Sequence, residues 1–491
     1  MNGMLCTSCS DGCRRDDKPR EECGVFGVYG ADGACDVIYR GLFSLQHRGQ
    51  EGAGLVVSDG VRVRSVKGLG LVGEALAGKP VRDLQGHLGI GHVRYSTTGS
   101  TRIHNVQPLV AECVDGLWAV AHNGNLVNAD KLRRMYQESG SLFQTSTDSE
   151  VLLHLLADPM FRRRPKRVAR ALGELRGAFA FVLMTKSCLM AARDPHGFRP
   201  LAIGTLGEGG HVVASETCAF AQVGARFVRD VEPGELVIFD ENGMRSVFFA
   251  ERADPLAQCV FELVYFARPD SSVFGESVHR IRLEYGRLLA RQHPVEADFV
   301  ASVPDSGNSA ALGFAMESGL PLDYGFIRNH YVGRTFIMPG ADQRRSGADM
   351  KLSVLAETVR DRRVVVVDDS IVRGNTARKR VQALRKAGAR EVHVRISCPP
   401  VVSPCYYGVD FATREELIAH DKSPQDTCVW LGADSLGYLS IENLLAPLAQ
   451  PNDYCHACFS GNYAVGIEGA QTKRKWEDHA LATPELNLDM G

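Results

Sequence analysis

One stretch constrains this chain more than any other: Arg363 to Ala377, which reads Arg-Val-Val-Val-Val-Asp-Asp-Ser-Ile-Val-Arg-Gly-Asn-Thr-Ala. A run of β-branched residues with no polar alternation fits a strand buried on both faces, as in a parallel sheet covered by helices. Asp368 and Asp369 follow the valines. They therefore stand at the carboxyl end of the strand, the edge where open α/β sheets bind ligands. A glycine-containing loop leads on into a helix. Ser370, Thr376 and the loop N–H groups can cradle a phosphate at that helix's N-terminus, where unpaired amides favour an anion. The two carboxylates can hold ribose hydroxyls or a Mg²⁺-bound assembly. The plain alternative is an ordinary strand–turn–helix with two solvated aspartates. A Walker A loop is excluded, because the sequence contains none.

The surroundings repeat the pattern. Helices are expected at 276–291, 309–316 and 376–387, alternating with strands at 298–303, 323–326, 363–367 and 391–396. That alternation predicts a doubly wound α/β sheet. Before about residue 255 the character differs. Short apolar strands are expected at 54–57, 88–93, 118–122, 179–184, 189–193, 200–203, 211–214 and 235–239. Helices are fewer, at 36–48, 129–137, 147–156 and 166–175. Many strands with few helices predict stacked sheets flanked by helices. Two units also suit a chain of 491 residues, since single cores stop growing near ~250–300 residues.

Residues 1–22 are polar, lack periodicity and contain no apolar segment of the kind a secretory signal needs. No apolar run approaches the ~18 residues of a membrane helix. The expectation is a cytoplasmic protein, where disulfides are rare, so the 14 cysteines need another account. A net charge of -2 suggests no nucleic-acid or acidic-membrane partner. The basic run Arg162 to Arg170 reads as a solvated face.

Cys23 follows the polar leader and opens a short strand. If the leader is removed, Cys23 carries both a thiol and a free α-amine. The amine, with a reference pKa near ~7.7–8.0, can take the thiol proton and return it to a leaving group. One residue then supplies nucleophile and base. Arg94 lies just past a strand in Gly91-His92-Val93-Arg94-Tyr95-Ser96-Thr97, and an arginine fork suits a carboxylate. His122-Asn123-Gly124-Asn125 reads as a tight turn whose amide and glycine N–H can form an oxyanion hole. Thr147-Asp148-Ser149-Glu150 opens a helix, either as an N-cap box or as a carboxylate for a substrate ammonium group.

Cys23-Gly24-Val25-Phe26-Gly27, Gln46-His47-Arg48-Gly49-Gln50-Glu51-Gly52, Arg94-Tyr95-Ser96-Thr97 and His122-Asn123-Gly124-Asn125 together resemble the glutaminase domain of N-terminal-nucleophile amidotransferases. The resemblance implies Cys23 as nucleophile, Asn123 and Gly124 as oxyanion hole, Arg94 as ligand of the glutamine carboxylate and Asp148 as ligand of its ammonium. The 363–377 segment resembles the fingerprint of type I phosphoribosyltransferases. This implies a 5′-phosphate loop of Ser370, Ile371, Val372, Arg373, Gly374, Asn375 and Thr376. Val303-Pro304-Asp305-Ser306-Gly307 resembles the pyrophosphate-side loop, with Ser306 joining Asp368 and Asp369 around Mg²⁺. Arg328 to Ile337 resembles a mobile loop carrying Arg334, and Lys351 is a further phosphate contact.

The two halves in this order resemble the glutamine phosphoribosylpyrophosphate amidotransferases over 23–465. The fold class expected is an α+β N-terminal-nucleophile glutaminase followed by an α/β type I phosphoribosyltransferase domain. The limits expected are a cleaved propeptide at 1–22, a class II glutaminase domain at 23–255, a transferase domain at 256–465 and a tail at 466–491. The clustered form of that family implies a [4Fe–4S] cluster on Cys259, Cys405, Cys455 and Cys458, one per subunit, beside one Mg²⁺. All-thiolate ligation also suits zinc, and spacing alone leaves Cys398 as a rival to Cys405. Cys6, Cys9 and Cys13 look more like a metal motif but fall in the leader. The implied reaction moves the amide nitrogen of glutamine onto C1 of phosphoribosyl pyrophosphate, the first step of purine synthesis. Feedback by purine nucleotides and a homotetramer are implied as well. Alternatives are another glutaminase-coupled synthase, against which the 363–377 segment speaks, and a purine-responsive regulator, against which the Cys23 set speaks.

Overall fold

The computed structural model describes residues 23–78, 84–95, 102–162, 166–329, 352–411 and 413–466. The first half builds two antiparallel sheets laid face to face. In one, Gly24–Tyr29 sits between Leu88–Arg94 and Gly210–Ala214, with Gly52–Ser58 and Val63–Leu69 beyond on one side and Ala202–Leu206 and Arg226–Asp230 on the other. The second runs Gly243–Phe248, Glu235–Asp240, Leu189–Arg193, Gly177–Met184, Gly116–Leu126 and Leu109–Cys113.

Strand periodicity fixes the layers, because neighbouring side chains point to opposite faces. Val25, Val56, Ala180 and Val182 meet between the sheets. Their neighbours Phe26, Leu55 and Val57 turn outward onto the helix Ala34–Ser44. Phe179, Phe181 and Leu183 turn the other way, onto the helices Glu150–Ala157 and Arg167–Gly173. The order is helix, sheet, sheet, helix.

The second half holds a parallel sheet in the order Phe299–Ser302, Arg363–Asp368, Glu391–Ile396 and Ser435–Tyr438. Val364 to Val367 are all buried, as a strand covered on both faces requires. Val278–Gln292, Asn308–Ser318 and Asn375–Lys386 supply helices. One expectation moves: the strand placed at 323–326 forms at Phe326–Arg328 and pairs with Leu352–Val354, outside the parallel sheet. Arg334, Lys351, most of the 328–337 loop, the 1–22 leader with Cys6, Cys9 and Cys13, and the tail beyond 466 lie outside the described residues. Among the described residues no helix is long and apolar enough to cross a membrane.

Candidate active sites

Cys23 stands where the chain enters its first strand. Gly24 pairs with Val93 in the next strand, so Arg94 and Tyr95 lie beside the thiol. Its Sγ donates to the Tyr95 carbonyl at 3.3 Å. Burial pushes the thiol up to about 11, against the pull of that hydrogen bond and of Arg94. Arg94 is itself buried, and desolvation lowers its pKa while Cys23, Glu51 and Asp148 oppose the fall. Charge from Arg94, which lowers the thiol, and from Asp148, which raises it, reaches the nucleophile.

Asn123 and Gly124 belong to the strand Gly116–Leu126, not to a tight turn. The reason is Gly124: its φ is 144°, and an added Cβ would meet the Ala178 carbonyl oxygen at 2.1 Å. Only glycine continues the ladder there. Asn123 is buried, and among the described residues its Nδ2 has no hydrogen-bond partner. Leaving a buried amide donor unmade costs ~1–3 kcal/mol, so the group is held in reserve for an acceptor that arrives. Asn123→Ala is expected to lower glutamine-dependent kcat about 10²–10³-fold, the usual cost of one oxyanion donor. Steady-state kinetics with glutamine and with ammonia check this, since only the glutamine reaction uses the donor.

The N-cap box does not form at Ser149, whose side chain makes no cap bond to the helix. Its hydroxyl is spent elsewhere, donating to Asp148 Oδ1 at 3.1 Å and accepting from Gln107 Nε2 at 3.2 Å. With its one proton given to a carboxylate, it must also accept from His122 Nδ1 at 2.9 Å. Asp148 Oδ2 accepts from the Leu126 N–H at 2.9 Å. Burial opposes the Asp148 charge, but His122, the Leu126 N–H and Ser149 outweigh it and hold the carboxyl below its ordinary range. From the sequence alone His122 has no role beyond its motif. The ring stacks on Phe181 at 4.3 Å and lies against Gly124.

The second site forms at the carboxyl edge of the parallel sheet. Val303 N–H reaches the Val367 carbonyl at 2.9 Å, which sets the loop bearing Ser306 beside Asp368. Gly307 permits the approach, since a Cβ would meet Val367 O at 2.6 Å. Asp368 and Asp369 are buried rather than solvated. Asp369 Oδ2 accepts from Ser370 Oγ at 2.5 Å, and Asp368 pairs with Arg380 from the following helix. Asp368, Ser370, Ile371, Val372, Gly374, Thr376 and Arg380 line a small pocket at that helix's N-terminus. Arg373 instead pairs with Glu416 at 2.7 Å. Arg380 was not singled out from the sequence, where it sits in a basic helix like any exposed cation.

The thiols gather in a third place. Cys259 faces Cys455 in the short parallel pair Gln258–Cys259 and Tyr454–Cys455. Burial carries the Cys455 thiol up to about 12, and Cys405 adds to the rise. Cys458 is pushed well above its ordinary range by burial and by Cys259, Cys405, Cys455 and Cys398. The Tyr407 N–H donates to Cys405 Sγ at 3.3 Å. Cys398 is fully buried, donates to the Pro399 carbonyl at 3.3 Å and also feels Asp369 and Asp368. Among the described residues no three His, Cys, Asp or Glu side chains converge as ligands of a single ion.

Stacked antiparallel sheets with a cysteine at the first strand, joined to a parallel sheet with paired aspartates at its edge, define an N-terminal-nucleophile glutaminase coupled to a phosphoribosyltransferase. Comparison with known proteins agrees. A family model described as a glutamine amidotransferase domain matches residues 92–222. The chain is 48% identical to amidophosphoribosyltransferase 1, chloroplastic, of Arabidopsis thaliana, covering 97% of this chain and 85% of that one. It is 48% identical to the amidophosphoribosyltransferase of Bacillus subtilis, over 91% and 95% of the two chains. The solved structure of the B. subtilis glutamine phosphoribosylpyrophosphate amidotransferase complexed with ADP and GMP superposes with a TM-score of 0.85 at 46% identity, over 92% of this chain and 99% of that one. The chain belongs to the amidophosphoribosyltransferase family. It is a glutamine-dependent transferase that forms 5-phosphoribosylamine, glutamate and pyrophosphate, the first committed step of purine biosynthesis.

Proposed function

We propose that this reaction is divided between the two sites with the following roles. Residues 1–22 are removed, and the freed Cys23 α-amine takes the thiol proton. The thiolate attacks the carboxamide carbon of glutamine, which Arg94 holds by its carboxylate and Asp148 by its ammonium. Asn123 and the Gly124 N–H take the oxyanion. The C–N bond then breaks as the amine returns its proton to the leaving nitrogen. Ammonia departs, and water hydrolyses the glutamyl thioester to glutamate. At the second site Ser370 to Thr376 hold the 5′-phosphate, with Arg334 and Lys351 as further phosphate contacts. Ammonia attacks C1, the bond to pyrophosphate breaks and the new amine loses a proton. Ammonia needs no strong base, so positioning and charge stabilisation carry the rate. The observation that carries the reading is the pairing of Gly24 with Val93, which sets Arg94 and the Tyr95 carbonyl beside the Cys23 thiol.

Asp368, Asp369 and Ser306 offer the hard oxygen donors that suit Mg²⁺, which takes one or two carboxylates and completes its shell with water and substrate phosphates. When bound, it would neutralise charge on the departing pyrophosphate. Cys259, Cys405, Cys455 and Cys458 fit a [4Fe–4S] cluster, one per subunit. The Tyr407 N–H on Cys405 Sγ is the kind of bond that tunes such sulfurs. The cluster's place matters to the glutaminase. Tyr406 O accepts from Asn125 Nδ2 at 2.9 Å, and Asp410 lies 3.5 Å from the Tyr95 hydroxyl.

The unit limits proposed are 1–22, 23–255, 256–465 and 466–491. Cytoplasmic location, a homotetramer and feedback by purine nucleotides complete the proposal, the last supported by the ADP and GMP of the B. subtilis complex. Intact mass tests both processing and cluster. The expected result is a polypeptide lacking residues 1–22, with native mass raised by four irons and four sulfides. A full-length chain that uses glutamine would remove the amine-as-base mechanism. Oxidative loss of iron is expected to lower glutamine-dependent synthesis as the 405–410 segment loosens, measured against iron content across a titration.

A further inference from the structure

We propose that the loop from Asp194 to Arg199, in the glutaminase half, seats the iron–sulfur cluster, with Phe198 and Arg199 as positioning residues for its thiolates. The proposal rests on the reading of Cys259, Cys405, Cys455 and Cys458 as cluster ligands.

The loop leaves the strand Leu189–Arg193 and is braced by two buried residues of opposite charge. The Asp194 carboxylate accepts from the N–H groups of Phe179 at 3.1 Å, His196 at 2.9 Å and Phe198 at 3.2 Å. The Arg193 guanidinium donates to the carbonyls of Arg199 at 2.8 Å and Gly197 at 2.7 Å. Charge-assisted bonds of this kind are the strong ones. With its amides held by an anion and its carbonyls by a cation, the loop keeps one shape. Its remaining groups are aimed at the second half of the chain.

Three of the four thiols hang on those groups. The His196 carbonyl accepts from the Ala257 N–H at 2.8 Å, and the Phe198 carbonyl accepts from the Cys259 N–H at 3.1 Å. Placing Cys259 places Cys455 too, because the two pair across a short parallel ladder. Cys405 is reached through Tyr407, whose N–H donates to its Sγ. Arg199 Nε donates to the Tyr407 carbonyl at 3.2 Å, and Nη2 donates to the same oxygen. The Phe198 ring lies 4.3 Å from the Tyr407 ring. Cys405 and Cys455 pack against the apolar group that Phe198, Ala257 and Tyr407 form. Cys458 is tied separately, its carbonyl accepting from the Val402 and Ser403 N–H groups at 3.0 and 3.1 Å. Packing alone does not ask for an arginine here. Arg199 is fully buried and stands 3.6 Å from Glu262, but Arg48 already meets that carboxylate with two bonds. Apolar residues often replace buried charges without loss of stability. A rigid guanidinium fork that fixes one carbonyl serves position, as outer-shell partners of metal ligands do.

The test compares wild type, Phe198→Leu and Arg199→Lys, each purified without oxygen. Leucine keeps the apolar bulk, and lysine keeps a cation near Glu262 but lacks the fork. Four quantities are measured: iron and sulfide per chain, the midpoint potential of the cluster, the rate at which ferricyanide strips the iron, and the melting temperature. Both variants should assemble the cluster and melt within a few degrees of wild type. They should lose iron about tenfold faster, a usual effect of removing an outer-shell partner. The potential should shift downward in both, because a displaced Tyr407 N–H no longer stabilises added negative charge at Cys405. Wild-type potential and wild-type iron loss in both variants would overturn the proposal. Faster iron loss that merely follows a lowered melting temperature, at unchanged potential, would overturn it too, since that is plain destabilisation. Should Arg199→Lys yield no folded protein, Phe198→Leu carries the same comparison. Wild-type protein without iron and sulfide would instead remove the cluster reading, an outcome that the variants cannot mimic.

Discussion

Cys23→Ala is expected to abolish synthesis from glutamine, by at least about 10³-fold, while synthesis from ammonia stays within about twofold. The split follows from the geometry. Cys23 lies at the start of the first antiparallel sheet, and the paired aspartates lie at the edge of a separate parallel one. Ammonia supplied directly needs only the second. The pH dependence has a defined sign. Burial holds the thiol near 11, so below that pH it stays protonated unless a base takes the proton. A free α-amine titrating near ~7.7–8.0 is that base in its neutral form. Glutamine-dependent kcat/KM should therefore rise with pH through that range and fall as the amine protonates, and ammonia corrected for its own ionisation should show no such limb. A chain retaining residues 1–22 should behave like Cys23→Ala. Equal glutamine use by the two forms would sink the amine as base.

What the sequence made legible is what one segment can encode. Val364 to Val367 announced a strand buried on both faces and placed Asp368 and Asp369 at its end. The strands that escaped notice lie mostly at sheet edges: Val63–Leu69, Leu109–Cys113, Arg226–Asp230 and Gly243–Phe248. An edge strand exposes much of its surface, so it admits charged residues, arginine in three of these and Glu112 in the other, and loses its apolar signal. The misreading at Gly124 has the opposite cause. Glycine beside two asparagines is turn chemistry locally, but here Ala178 on the next strand decides. Least legible was the buried charge. Arg48 meets Glu216 and Glu262 across 168 and 214 residues of chain, and no spacing rule reaches that far. The thiols are similar: Cys259 and Cys455 become neighbours only through a two-residue strand pairing.

Asp369→Asn is expected to lower synthesis from glutamine and from ammonia alike, by about 10² or more, since about 2.7 kcal/mol of charge stabilisation is a modest share for a residue proposed to face a metal and a diphosphate. Glutamine hydrolysis measured without phosphoribosyl pyrophosphate should survive. The amide keeps the shape of the buried carboxylate and can still accept from Ser370, so the loss isolates charge from packing. Asp368 provides the contrast. It pairs with Arg380, and both side chains are largely buried, so Asp368→Asn strands a guanidinium in poor solvent. That variant should lose activity and also several degrees of thermal stability, whereas Asp369→Asn should melt close to wild type. The dependence of rate on Mg²⁺ concentration decides the role. If the carboxylates hold the ion, saturating Mg²⁺ should restore part of the Asp369→Asn loss as the half-saturating concentration shifts upward. An unchanged Mg²⁺ dependence would move Asp369 to the ribose hydroxyls.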